Sequence, residues 1–423
     1  MSKLRKFLLA PKSKLHTISI VTTTTNTTGT IYWRAYWLLA VIIAFLLATT
    51  PWMDLETARH FLSADDTISY LKIANHAPRI QDMPIPFHHA QRFFPHYFVG
   101  SLHYYFGLSL ETTYRACVFV TSCLIIQIFV KILTTLGISR QQVLVFTSAL
   151  LCTPYCFRYY WIVPTMWADL IFVVGLLHVI YGLITGRIVW LVASCFFAAL
   201  GRQTTLLILP GLILWIATSA TWQQFKWHRR MSALFVAVLV TLTTYKLSSW
   251  MAYHIGSAKP MGIDVFYSLL NWFFRDEFNW PELAEHTVRV MIPYAFPLAL
   301  LIIGVRPWKQ RIPKEALALI LMVLGICAMP FFVEPPLQVQ NQSRQSAYGV
   351  ALGLIACAYY VKSSNLHNPT NKYYWMTLIL IVLGSIHHLF SQPAHFTAIH
   401  FAASYIVIAI LMGITYRKYL AQA

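Results

Sequence analysis

Long apolar runs, separated by short basic, Pro-rich or aromatic segments, dominate the chain. A helix needs about 20 predominantly apolar residues to cross a bilayer. The apolar residues do not alternate with polar ones, as they would in the strands of a membrane barrel. The sequence therefore predicts an all-α, polytopic transmembrane helical bundle of about twelve spans. The predicted spans are roughly 36–51, 111–135, 142–158, 165–185, 188–200, 204–220, 231–249, 291–305, 315–333, 346–361, 374–390 and 397–415.

Composition supports the same class of protein. Of the 423 residues, 58% are hydrophobic and only 11% are charged, whereas a soluble domain carries about 25% charged residues. The formal net charge of +18 would indicate nucleic-acid binding in a soluble chain. In a membrane protein, the tendency of Lys and Arg to collect in cytoplasmic loops accounts for it. We therefore expect the lipid bilayer, and no nucleic acid, as a partner.

The charges also predict the orientation of the chain. Basic residues fill the segment 1–35 and the short loops on the same side, where Glu315 is the only acidic residue. By the positive-inside rule, both termini are then cytoplasmic. The chain divides into this basic N-terminal segment and a transmembrane domain, 36–423, with long outer loops at 52–110 and 250–290. No apolar core of a cleavable signal precedes the first span, which is compatible with the inner (plasma) membrane of a bacterium.

The first outer loop contains two helical patterns. Ser63 has the character of an N-cap, and the helix predicted from there to about His76 places Asp66 and Tyr70 on one stripe. A Pro-rich stretch follows, and 91–107 predicts a second amphipathic helix that is crowded with aromatic residues. Aromatic side chains favour the headgroup region of a bilayer. We therefore expect both helices to lie at the outer membrane interface.

Two acidic residues, Asp65 and Asp66, stand side by side at the start of this loop, in a chain with only 14 acids. Ser63-x-x-Asp66 has the spacing of a capping box, and acids in a first turn also suit the helix dipole. Alternatively, the acids do chemistry, because a carboxylate can take the proton of an attacking hydroxyl. The spacing alone leaves both interpretations open.

Three short motifs, taken in order, resemble those of GT-C fold glycosyltransferases, polytopic membrane enzymes that use polyprenyl-phosphate sugars. The motifs are DTISYL at 66–71, RFFPHYFVGSLHYYFG at 92–107 and GRQTTLLILPGLILW at 201–215. The resemblance implies that Asp66, preceded by Asp65, takes the catalytic acidic position. Thr67 stands where the paired form of the motif has Glu. The resemblance also implies a polyprenyl-phosphate sugar as donor and an outward-facing glycan, lipid or protein as acceptor.

The same hypothesis gives roles to further residues near the outer side. In an inverting transfer Asp66 is the general base, and a guanidinium binds the departing lipid phosphate through a bidentate contact. Tyr70, in the acidic motif, and His89 complete the predicted substrate-binding set. We expect these residues to border a hydrated, outward-facing cavity. The arginines in suitable places are Arg92, Arg158, Arg202 and Arg344.

Asp169 lies near the outer end of a predicted span, where a charge is costly and tends to be functional. It is the partner of Arg158 or Arg202 in an ion pair, a second carboxylate of the site, or a metal ligand. Histidines and carboxylates can bind divalent metals, but their spacing in this chain matches no defined metal motif. We therefore predict no particular cofactor or metal ligand, and a divalent metal ion stays an open alternative.

Other classes of membrane protein share many of these features. About twelve spans are also typical of a transporter or flippase of polyprenyl-linked saccharides. Such a protein should show related halves and broken helices near the midplane. A polysaccharide polymerase also has many spans, although its main outer loop would come late in the chain. A scaffold without chemistry is the remaining alternative. Glycosyl transfer is our main hypothesis, because the acidic loop helix directly follows the first span.

Overall fold

The structure is a computed structural model and describes residues 28–57, 64–83, 85–255, 280–307, 311–332, 342–363, 372–386 and 398–421. Within these ranges the chain is all-α, as predicted. The α-helices are Thr28–Ala48, Ala64–His76, Phe87–Ala90, Phe93–Phe106, Leu110–Thr135, Arg140–Cys152, Arg158–Ile162, Trp167–Thr185, Ile188–Gly201, Leu209–Thr218, Ala220–Gln223, Trp227–His254, Trp280–Met291, Ala295–Leu298, Lys314–Ala328, Gln342–Ala347, Val350–Ser363, Lys372–Gly384 and Ala398–Ala421. Tighter 3₁₀ turns occur at Pro164–Met166, Gln203–Ile208, Ile292–Tyr294 and Met329–Phe332, and Ala299–Val305 is a π-helix.

Five helical segments in these ranges are long and apolar enough to cross a membrane. Apolar stretches of this length have few other stable environments. The chain is therefore a multi-pass helical membrane protein, as the apolar pattern predicts. The five segments are Leu110–Thr135, Pro164–Thr185, Trp227–His254, Leu283–Val305 and Lys314–Phe331.

The prediction of about twelve spans was wrong. Several of the predicted spans form apolar helices of only 10–17 residues, for example Ile188–Gly201, Val350–Ser363 and Lys372–Gly384. Local breaks in the backbone limit their length. Arg202, for instance, is extended (φ −154°, ψ 142°) and ends the preceding helix before a 3₁₀ turn begins. Hydropathy averages over such a break, whereas the hydrogen-bonded helix does not continue through it.

Some predictions concern residues outside the described ranges. They include the basic segment 1–27, the Ser63 N-cap and most of the second outer loop, 256–279. The first helix begins at Thr28, ahead of the predicted start of the first span at 36. The orientation of the chain stays a prediction.

Both helices predicted in the first outer loop are present, at Ala64–His76 and Phe93–Phe106. We name them the acidic helix and the aromatic helix. The acidic helix was expected to lie on the membrane surface, but its stripe with Asp66 and Tyr70 is buried inside the protein. The reason is packing, because the acidic helix lies against the aromatic helix on one side and against residues 164–166 on another.

The acidic and aromatic helices pack closely at Gly100. A Cβ atom at this position would lie 2.0 Å from the backbone oxygen of Ala74. We expect Gly100→Ala to lower stability by about 1–3 kcal/mol or more, because backbone cannot move aside as a side chain can. Thermal unfolding of the purified protein in detergent measures the loss. Ser101→Ala, one residue away, is the control, and a Gly100→Ala protein as stable as the wild type would contradict the close packing.

A helical hairpin positions two further charged residues. Its helices, Trp167–Thr185 and Ile188–Gly201, pack tightly along their length. Gly186 forms the turn with φ 65°, a left-handed conformation that glycine adopts without strain. Because the helices are antiparallel, the beginning of the first lies beside the end of the second. This places Asp169, in the first turn, next to Arg202, which follows the second helix.

Candidate functional site

Ionisable side chains from five separate segments of the chain meet in the protein interior. All of them are buried, and Asp66 and Arg344 are 278 positions apart in the sequence. All six were among the site residues predicted from the sequence. This charge cluster consists of Asp66, His89, Arg92, Asp169, Arg202 and Arg344.

Asp66 is the centre of one half of the charge cluster. Its Oδ1 atom lies 2.7 Å from His89 Nε2 and 3.8 Å from Arg92 Nη1, and its Oδ2 atom lies 3.1 Å from Arg344 Nη2. Burial alone would raise the pKa of the Asp66 carboxyl, but Arg344, His89 and Arg92 outweigh burial and hold this pKa well below its ordinary value. Asp66 is thus an ionised carboxylate within the protein, although its helix was expected to lie at the outer membrane interface.

Asp169 is the centre of the other half. Its Oδ1 atom accepts a hydrogen bond of 2.6 Å from Arg202 Nε. The same oxygen lies 2.6 Å from Arg202 Nη2 in an ion pair. Its Oδ2 atom accepts a hydrogen bond of 2.7 Å from the Tyr348 hydroxyl. Of the two ion-pair partners that the sequence left open for Asp169, Arg158 and Arg202, the structure selects Arg202.

Arg344 joins the two halves. Its Nη2 atom donates to Asp66, and its Nε atom lies 3.7 Å from Oδ2 of Asp169. The guanidinium also lies over the ring of Tyr159, with 5.7 Å between its central carbon and the ring centroid. A planar guanidinium can contact two acids and an aromatic face at once, which an ammonium group cannot do with the same geometry.

The charge cluster has more positive than negative groups. Its described members include three guanidinium groups and two carboxylates. Buried ions are costly unless they are paired, so a surplus cation in this position favours an anionic ligand. A phosphate oxygen is such a ligand, and arginine suits it through its fork of parallel N–H donors.

Tyr70 and His96 hold Arg92 in place. The Arg92 Nη1 atom donates to the Tyr70 hydroxyl, and the Tyr70 ring stacks on the His96 ring with 3.9 Å between centroids. Burial raises the pKa of Tyr70, so the phenol stays neutral. The predicted role of Tyr70 in substrate binding stays a prediction, and in the structure its hydroxyl accepts a hydrogen bond from Arg92.

The remaining two predicted residues are Asp65 and Arg158. Asp65 lies in the acidic helix, but its side chain is outside the described part of the chain. Arg158 is buried apart from the carboxylates that it was predicted to join. It donates to the backbone oxygen of Ser385 at 2.9 Å and to the hydroxyl of Thr49.

Three residues in contact with the charge cluster were missed as site residues. They are Tyr159, whose ring lies under Arg344, Tyr348, which donates to an acid, and Ser69, whose hydroxyl lies 2.9 Å from His89 Nδ1. For two of them, a short distance in sequence to a predicted site residue was a signal that could have identified them. Ser69 follows a predicted acid by three positions, which places both on one helix face, and Tyr348 follows Arg344 by four.

A small cavity lies beside the charge cluster, next to Tyr348. Tyr155, Tyr160 and Tyr348 line it, together with Cys156 and apolar side chains, but none of the six members of the charge cluster does. It is therefore not the hydrated pocket that was predicted to adjoin Asp66.

No group of three or more His, Cys, Asp or Glu side chains in the described ranges could hold a metal ion. The two acids of the charge cluster contact guanidinium groups instead. Their surroundings are therefore better suited to an anion than to a cation.

Comparisons of the chain with family models, with curated proteins and with solved structures gave no match. The resemblance to GT-C glycosyltransferases thus rests on the three sequence motifs at 66–71, 92–107 and 201–215.

Proposed function

We propose that the chain is a membrane glycosyltransferase, which moves a sugar from a polyprenyl-phosphate carrier to an outward-facing glycan, lipid or protein. The observation that carries the proposal is the charge cluster, in which Asp66 is buried among guanidinium groups. Buried ionic groups in membrane proteins are expensive and tend to mark functional sites. Residues from all three GT-C-like motifs take part in this cluster, through Asp66, Arg92 and Arg202.

The arginines of the cluster supply what a departing phosphate needs. As the bond between the anomeric carbon and the phosphate oxygen breaks, its electron pair stays on the phosphate, and negative charge grows there. Arg92 and Arg344 both contact Asp66, so a phosphate near them would lie close to the base. Fixed donors that face a developing charge are among the strongest contributions to catalysis.

In this proposal the general base includes the Asp66 carboxylate. The acceptor oxygen forms a bond to the anomeric carbon and loses its proton to the base, while the lipid phosphate leaves from the opposite face of the sugar. Base catalysis of this kind contributes about 10²–10⁴ to the rate. Arg344, His89 and Arg92 keep Asp66 ionised, so Asp66 supplies a fixed negative charge at the site where the acceptor loses its proton.

The position of the cluster suits a lipid-linked donor. Asp169 is in the first turn of Trp167–Thr185, a helix within the candidate span Pro164–Thr185. Asp66 is on the helix that packs against the start of this span. A carrier that is anchored in the bilayer could therefore present its headgroup near the end of the span, where charged side chains are gathered.

Sugar transfer by the purified protein tests the proposal. The protein is reconstituted in liposomes with undecaprenyl phosphate that carries radiolabelled glucose, galactose, mannose or arabinose, and with glycan acceptors extracted from the cell envelope. We expect label to move from lipid to acceptor with at least one donor, since the charge cluster suits a lipid phosphate. Protein-free liposomes are the control.

Two results would contradict the proposal. Movement of labelled lipid across the bilayer with no new glycosidic bond would indicate a flippase, and no change of any donor would exclude transfer of these sugars. Mass spectrometry of envelope glycans from cells with and without the protein then identifies the acceptor, because the missing linkage is visible directly.

A further inference from the structure

A carboxylate, an imidazole and a hydroxyl form a continuous line inside the charge cluster. Asp66 Oδ1 lies 2.7 Å from His89 Nε2, and His89 Nδ1 lies 2.9 Å from Ser69 Oγ. All three residues are buried, with 7%, 4% and 4% of their surface exposed. Asp66 and Ser69 are three positions apart on the acidic helix, so both face the same way and His89 bridges them.

The distances determine where the protons lie. A ring nitrogen 2.7 Å from an ionised carboxylate has to carry a proton, because two lone pairs at that distance would repel each other. His89 Nε2–H therefore donates to Asp66. Arg92 and Arg344 already neutralise the carboxylate, so this contact does not require a second proton on the ring. In a neutral imidazole the other nitrogen is an acceptor, and Ser69 therefore donates its hydroxyl proton to His89 Nδ1.

We propose that Ser69, His89 and Asp66 form a proton relay, in which His89 receives the proton through Ser69 and Asp66 orients the imidazole. The relay rests on the proposed glycosyl transfer. It specifies which atom near Asp66 receives the proton of the acceptor. Asp66 itself is a poor proton acceptor, since three neighbours stabilise its ionised form. The lone pair on His89 Nδ1 is the one among these three residues that can take up a proton.

The transfer step conserves protons and electron pairs. The acceptor oxygen attacks the anomeric carbon and gives its proton to Ser69 Oγ, while the Ser69 hydroxyl proton passes to His89 Nδ1. The sugar–phosphate bond breaks, and its electron pair leaves with the lipid phosphate. The resulting imidazolium is stabilised by the Asp66 carboxylate, as a triad histidine is by its aspartate. The proton returns through the same line to the phosphate or to water.

The groups around His89 are compatible with this role. The His88 ring packs against it on the exposed side, with 4.0 Å between centroids, and Tyr70 meets it edge-on at 5.6 Å. The helix Trp227–His254 packs against the same segment through Tyr253 on Phe87 and through Ser249 on Gln91. The charged or titratable side chains near His89 are therefore Asp66, Tyr70, His88, Arg92, His96 and Arg344.

Kinetics of sugar transfer tests the relay. We expect Ser69→Ala and His89→Gln each to lower kcat by about 10²-fold with KM little changed. The amide of Gln can still donate to Asp66 but cannot take up a proton. Ser69→Thr keeps a hydroxyl at the same place and should recover most of the rate. His88→Gln, on the exposed neighbour, is the matched control. A Ser69→Ala protein as active as the wild type would overturn the relay.

A second measurement does not depend on activity. In protein labelled with ¹⁵N-histidine, the His89 signals are assigned by their loss in His89→Gln. We expect a proton on Nε2, none on Nδ1, and a change at Nδ1 in Ser69→Ala. A proton on Nδ1 at rest would overturn the relay whatever the kinetics. Absence of sugar transfer by the wild type would instead overturn the proposed function, so the two failures are distinguishable.

Discussion

Replacing Asp66 with Asn should abolish sugar transfer while the protein is still produced and inserted in the membrane. Asn keeps the size of the side chain and can accept the hydrogen bond from Arg344, but it has no charge to stabilise a protonated His89. Both the direct base and the relay require that charge. We expect a loss of about 10²–10⁴ in kcat, measured by transfer of radiolabelled sugar in liposomes.

The control for this variant is Asp82→Asn, because Asp82 lies in the same outer loop and is exposed. Its activity should stay close to that of the wild type. Asp66→Glu restores the charge at a longer reach and should regain only part of the rate. Full activity of Asp66→Asn would exclude Asp66 from the chemistry and leave it a purely structural member of the charge cluster.

The apolar pattern predicted helices better than it predicted spans. The second predicted span, 111–135, corresponds to the helix Leu110–Thr135, whose start is fixed by Ser109 accepting a hydrogen bond from Thr112. The region 188–220 was also predicted to hold two spans, but its helices are short. The difference is physical, because a single extended residue such as Arg202 can end a helix without changing the mean hydropathy around it.

The first outer loop shows where sequence periodicity succeeds and where it fails. The acidic helix has the predicted extent to His76, and its predicted stripe forms one face. The pattern did not reveal what that face contacts. A stripe with Asp66 and Tyr70 looks suited to an interface with water, but both residues find their polar partners inside the protein.

The charge cluster was predicted as a set of residues but not as an arrangement. Position near the outer ends of helices was enough to select Arg202 and Arg344 as candidates. It could not decide between Arg158 and Arg202 as the partner of Asp169, because that choice depends on the antiparallel hairpin. Ser69 was overlooked because a serine within a helix has many uses, and only the distance to His89 distinguishes this one.

The second large effect concerns stability. Asp169→Asn removes the only carboxylate that contacts Arg202 among the described residues, and Arg202 is 1% exposed. Breaking a buried ion pair by removing one partner costs about 3–5 kcal/mol, because the remaining charge is left uncompensated. We expect a loss of this size in the free energy of unfolding, measured by titration with SDS in mixed micelles.

A surface pair provides the matched control for this loss. Glu285 and Arg289 also contact each other, at 2.5 Å, but the Glu285 side chain is 62% exposed. Glu285→Gln should therefore change the unfolding free energy by about 0–1 kcal/mol. Adding Arg202→Met to Asp169→Asn should recover part of the loss, because the uncompensated cation is then gone. An Asp169→Asn protein as stable as the wild type would mean that Arg202 does not depend on Asp169 for neutralisation, and the charge cluster would lose one of its two centres.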